Sequence, residues 1–245
     1  MEIADHLHLL DEEGRSLARA AEDVGMDAAV PTCPGWQVED LLLHTGVVHR
    51  WAAGIVARGH RSPQRLSAPP EVTEKQLVSW YRESHGLLLS ALKDAPADLE
   101  CWAFLPAPSA LAFWTRRQAH ETTVHRVDAE AARGGERTGI TEVAAVDGID
   151  ELLLGFHARD RSRVRTDVPR VLRVRATDTG DVWTVRLSGE APVTERGRGS
   201  GGAHDCELSG PADRLYLALW NRIPVPHITG DTALADLWRE SSAIG

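Results

Sequence analysis

The first two-thirds of the chain is patterned for helix. Residues 3–24 place apolar side chains at helical spacing (Ile3, Leu7, Leu10, Leu17, Ala20, Ala21), and Gly25 follows where a helix end favours glycine. The stretch Val30-Pro31-Thr32-Cys33-Pro34-Gly35-Trp36 interrupts the pattern, because two prolines and a glycine cannot continue a helix. A second helix is predicted over 37–58, its buried stripe running through Val38, Leu41, Leu42, Thr45, Val48, Ala52 and Ile55. A polar loop over 59–70 leads to a third helix over 73–95. A fourth over 110–133 stops at Gly134-Gly135, and a fifth is predicted over 141–159. Helices of this length joined by modest loops describe a bundle.

After residue 159 the period changes. Residues 163–168 read as a polar, Arg-rich linker. The segments 171–176 and 182–187 alternate apolar and polar residues as strands do, and Asp178-Thr179-Gly180-Asp181 between them suits a hairpin turn. A Gly/Ser/Arg loop over 197–202, a third strand over 203–208 and helices over 211–220 and 232–239 complete the reading. The expected fold class is α+β: a helical domain over 1–160 and a smaller C-terminal α/β domain over 161–245.

Charge narrows the partners. The formal net charge is −9, and the arginines are scattered among acids with no long basic run, so nucleic acid is not expected as a partner. No apolar run approaches the ~20 residues that span a bilayer. The start Met1-Glu2-Ile3-Ala4-Asp5 lacks the basic-then-apolar pattern of a signal peptide, and three widely spaced cysteines make no disulfide framework. A cytoplasmic protein, monomeric or weakly dimeric, is expected.

Candidate chemistry concentrates on the fourth helix. Glu121 and His125 are four residues apart and so project from one face, a spacing at which a carboxylate and an imidazole share a metal and also one common on solvated faces. His120 and His125 are five apart and diverge, so the zincin pattern does not apply and His120 reads as a core-edge or surface residue. His44, beside the buried stripe of the second helix, is the best third ligand; as a lone histidine it also suits a hydrogen-bonded core position, and His49 lies off that line. Two histidines and one glutamate leave coordination positions open, as catalytic zinc sites do, and also suit Fe, Ni, Co or Mn. Asp128, one turn beyond His125, either orients a ligand or pairs with an arginine. Arg116 and Arg117 are candidates for a substrate carboxylate, with ordinary surface or interhelix pairing the better reading for one of them. Cys33 reads as a small buried apolar residue, with a reactive thiol the alternative, and Trp36 as bundle packing.

The segment from Val30 to Trp36, followed by Asp40-Leu41-Leu42-Leu43-His44, resembles the opening signature of the mycothiol-dependent maleylpyruvate isomerase family. The run from Trp114 through His120-Glu121-Thr122-Thr123-Val124-His125 to Glu130 is similar to its second signature, and the stretches 213–222 and 230–231 are similar to its smaller domain. The resemblance implies a DinB-like N-terminal four-helix bundle with zinc ligands at His44, Glu121 and His125, and mycothiol as thiol cofactor or co-substrate. It further implies a catalytic arginine at Arg222, although Asn221 stands where the family often has glycine. The reaction implied is cis–trans isomerisation by reversible thiolate addition to a small electrophilic or anionic substrate. Thiol S-transfer, metal-water hydrolysis and a non-catalytic binding or regulatory role are the alternatives.

Overall fold

The computed structural model describes residues 1–199 and 202–244 and divides into two compact units, Met1–Thr138 and Gly139–Gly245. In the first unit, four helices form the bundle: α1 (Ile3–Val24), α2 (Val38–Arg58), α3 (Glu74–Asp94) and α4 (Ala110–Arg133). Local chemistry sets their ends. At three of the four starts a side chain three residues on reaches back to the free N–H of the cap residue: Asp5 to Glu2, Asp40 to Gln37 and Gln76 to Thr73. The Ser109 hydroxyl accepts from the Ala112 N–H at the start of α4. Gly59, left-handed at φ 59°, closes α2.

α1 packs mainly on α4 and α2 on α3. Leu17, Leu41, Leu42, Tyr81 and Ala129 meet in the core. Glycines let the helices close. A Cβ on Gly14 would lie 2.3 Å from the His85 ring, and one on Gly46 would lie 2.3 Å from the Trp80 ring, so α1–α3 and α2–α3 approach through ring-on-glycine contacts.

The second unit corrects the expected boundary at 160. α5 (Glu142–Asp150) packs on α6 (Ala212–Leu219), where Gly148 receives the Tyr216 ring, so the fifth helix belongs to the C-terminal unit. It does not run to residue 159 as a regular helix; it widens into a π-helical turn, Glu151–Phe156. The expected linker over 163–168 is also tied down. Arg165 donates to the carbonyls of Asp160, Ser162 and Gly189, and the Thr166 N–H donates to the Ser188 carbonyl.

Five strands follow: β1 (Arg170–Ala176), β2 (Asp181–Leu187), β3 (Val193–Arg198), β4 (Cys206–Gly210) and β5 (His227–Gly230), in sheet order β3-β2-β1-β4-β5. β1 and β4 are parallel; the other pairs are antiparallel. The hairpin turn lies as expected. Gly197, expected in a loop, is in β3 opposite Val182, while Ser200 and Gly201 of that loop lie outside the described residues. α6 follows β4, and α7 (Thr232–Ser241) follows β5. Glu207 of β4 pairs with Arg173 and Arg175 of the neighbouring parallel strand. Among the described residues no helix is long and apolar enough to cross a membrane.

Candidate metal centre

Two helices of the first unit bring the predicted trio together. α2 presents His44 and α4 presents Glu121 and His125, and one ligand atom from each lies within 4.8 Å of the others. Glu121 Oε1 is the hub, 3.4 Å from His44 Nε2 and 3.2 Å from His125 Nε2. Three donors converging with mutual spacings of this size fit a cation at their centre, since Zn–N and Zn–O bonds of about 2 Å place neighbouring donors at such distances.

The surroundings fix each donor. Asp128 is fully buried, and its Oδ2 lies 3.0 Å from His125 Nδ1. The carboxylate accepts the Nδ1 proton and turns Nε2 toward Glu121. Burial opposes charge on His125, but its hydrogen bonds to the Asp128 and Glu121 carboxylates outweigh it and push the imidazole up to about 9. Burial likewise opposes ionisation of Glu121, yet the hydrogen bonds from His125 and His44, with the Arg117 charge, hold its carboxyl well below the usual range. The same electrostatics that favour charge on these groups would favour a cation held between them.

Arg117 is buried and donates to Glu121 Oε2 at 3.1 Å, the ordinary pairing expected of one of the two arginines. It occupies one oxygen of the glutamate and leaves Oε1 toward the histidines. Arg116, the next residue, is half-buried and points about 100° further around α4.

Two contributions were not read from the sequence. Trp36 does more than pack the bundle: its ring lies 5.1 Å from the His44 ring and 6.4 Å from the His125 ring, nearly parallel to the latter at 20°. Cys33 is half-buried, and its thiol donates to Asp128 Oδ2 at 3.4 Å. Both sit in the Pro-rich segment, whose turns are closed by Cys33 N–H to the Val30 carbonyl and Trp36 N–H to the Cys33 carbonyl. The signal was present in the rigidity of that segment just before the His44 helix.

His49 is fully buried, and its Nε2 is 2.9 Å from the Thr122 hydroxyl. That hydroxyl already donates to the Gln118 carbonyl, so His49 carries its proton on Nε2. His120 is buried, not at the surface. Arg222 belongs to the second unit; it follows α6, where its guanidinium donates to the Trp220 carbonyl and its N–H to the Leu217 carbonyl.

Comparison with known proteins gives this geometry a family. Residues 7–130 match the mycothiol maleylpyruvate isomerase N-terminal domain, and residues 144–237 match the C-terminal domain of the same family. Among solved structures, a mycothiol-dependent maleylpyruvate isomerase superposes with TM-score 0.64 at 15% identity, covering 95% of this chain and 94% of that one. A mutant of a mycothiol-dependent maleylpyruvate isomerase gives TM-score 0.63 at 13% identity, covering 91% and 90%. No curated protein matches the sequence significantly. The structural likenesses show a shared α+β fold, and the two domain matches, spanning most of the sequence, establish that the chain belongs to the mycothiol maleylpyruvate isomerase family.

Proposed function

We propose that the chain is a metal-dependent enzyme that uses mycothiol to isomerise a small, conjugated cis acid of the maleylpyruvate type. Zinc or another divalent cation is held by His44, Glu121 and His125. The observation that carries this reading is the convergence of one donor atom from each residue, within 4.8 Å, on the partly open side of the α2–α4 pair. A two-histidine, one-carboxylate set leaves coordination positions for a ligand from outside the protein. When bound, metal and thiol together supply a thiolate nucleophile for reversible addition to a conjugated double bond.

The chain's own residues prepare the site. Asp128 holds the Nδ1 proton of His125 and presents Nε2 as a lone pair. Arg117 binds the outer oxygen of Glu121 and fixes the carboxylate plane. Trp36 lies against both histidine rings and limits their rotation. Arg116 is assigned to the substrate carboxylate by the chemistry of its guanidinium, and Arg222 to catalysis by resemblance to the family.

Cobalt-substituted protein tests the reading. Mycothiol should produce a sulfur-to-metal charge-transfer band, and both His44→Ala and His125→Ala should lose the metal and cis–trans isomerisation together. Full metal content in both variants, or metal-dependent hydrolysis without the band, would overturn it. Accumulation of a mycothiol conjugate in place of the trans acid would assign S-transfer instead.

A further inference from the structure

The first unit also holds a cavity away from the candidate metal centre. It is a groove of about 490 Å³ between the C-terminal half of α2 and the segment over 60–70. The volume falls in the range of small-molecule pockets, roughly 300–1,000 Å³. The roof is pinned: the Trp51 indole N–H on α2 donates to the Gln64 carbonyl at 2.8 Å. Trp51 and Trp80 supply aromatic wall.

The charge of the groove runs against that of the protein. Across a sequence with 36 acidic residues and a net charge of −9, the described lining contains Arg50, Arg58 and Arg65 and no acid. Arg50 is committed, with Nε donating to the Ser84 hydroxyl, a terminal nitrogen 3.1 Å from Glu83, and its guanidinium over the Trp80 ring. Arg58 and Arg65 have no acid within ion-pairing distance among the described residues. Arg58 sits in the last turn of α2, where a cation also complements the helix dipole. Arg65 lies in the loop, where no helix end accounts for it. Two uncommitted guanidiniums beside aromatic wall suit a planar anion on an apolar body.

We propose that this groove binds a small organic anion, its carboxylate or phosphate held by Arg58 and Arg65 and its flat apolar part set against Trp51 and Trp80. The site is independent of the metal trio. It stands or falls without the function proposed above.

Isothermal titration of the full chain with 2-naphthoate and its neutral isostere 2-naphthamide tests it. Naphthoate should bind with one-to-one saturation, and added salt should weaken it. The amide should bind at least roughly tenfold more weakly, as should naphthoate to Arg65→Gln and to the R58Q/R65Q double variant. The R19Q/R214Q pair, which carries the same charge change elsewhere, and His44→Ala should bind naphthoate like the parent. Equal binding of acid and amide, equal loss in R19Q/R214Q, loss in His44→Ala, or no saturation by about 10 mM would each overturn the proposal.

Discussion

Single side chains should decide how firmly the candidate trio holds a metal and how the second unit responds to acid. Asp128 should matter to metal binding through His125. Asp128→Asn, which leaves no carboxylate to take the Nδ1 proton, should weaken zinc affinity by about tenfold or more in chelator competition. Unchanged affinity would mean that His125 needs no orienting partner. His157 offers a pH test. It is buried against Trp238 with Nδ1 3.0 Å from the Ser162 hydroxyl, and burial, helped by the Arg159 charge, lowers it to about 4. The unfolded chain therefore binds this proton at a higher pH than the folded one does. The stability is fully present above about 6.5 and is lost as pH falls toward 4, by on the order of 3 kcal/mol. His157→Gln should flatten the fall in melting temperature over that window; an identical slope in both proteins would exclude the residue as its source. At this scale the sequence made the donors legible, because i,i+4 spacing and helix faces are local. The partners that Arg117, Cys33 and Trp36 find at the trio were not legible, because they depend on which rotamers the packed bundle permits.

Helices were legible because each carries a long periodic stripe and a cap. The edge strands were not. β3 is almost wholly exposed and β5 has four exposed residues, so neither shows the alternation that burial of one face imposes. The fifth helix had the right period but the wrong owner, since periodicity reports a buried face and not what covers it. Glycines inside helices, unfavourable by propensity, are explained by the rings they admit. Gly46→Ala must displace the Trp80 ring and should cost roughly 1–3 kcal/mol in chemical denaturation, against a gain of less than about 1 kcal/mol if the ring swings away freely. The α1–α4 contact carries a buried network in which Arg126 binds Glu13, Glu130 and the Thr138 carbonyl. Arg126→Met strands two buried carboxylates and should destabilise the first unit by about 3–5 kcal/mol. Adding Glu13→Gln should recover part of that loss; no recovery would show that the arginine acts by packing.

For the whole chain, the division falls after Thr138, where α4 has ended and the exposed residues 134–137 precede the next unit. We propose this as the domain boundary. Trypsin should cut early after Arg133 or Arg137 and spare Arg163 and Arg165, which pattern alone placed in a linker. First cleavage at 163–165 would restore the sequence boundary. The family could be read early because its signatures span both units, whereas the anion groove could not, since its arginines are 15 residues or less apart on a helix and a loop that only folding sets face to face.

The order of strands in the sheet also sets an order of events in time. β1, β2 and β3 are successive neighbours joined by short turns, so their closure entropy is small. β4 joins on the far side of β1 only after the chain has passed β2 and β3, and β5 depends on β4. The meander is then the nucleus of this unit and the β4–β5 half its late addition. Weakening the turn at Gly180 should slow refolding, while weakening the pairing of β5 should hasten unfolding and leave the refolding rate nearly untouched.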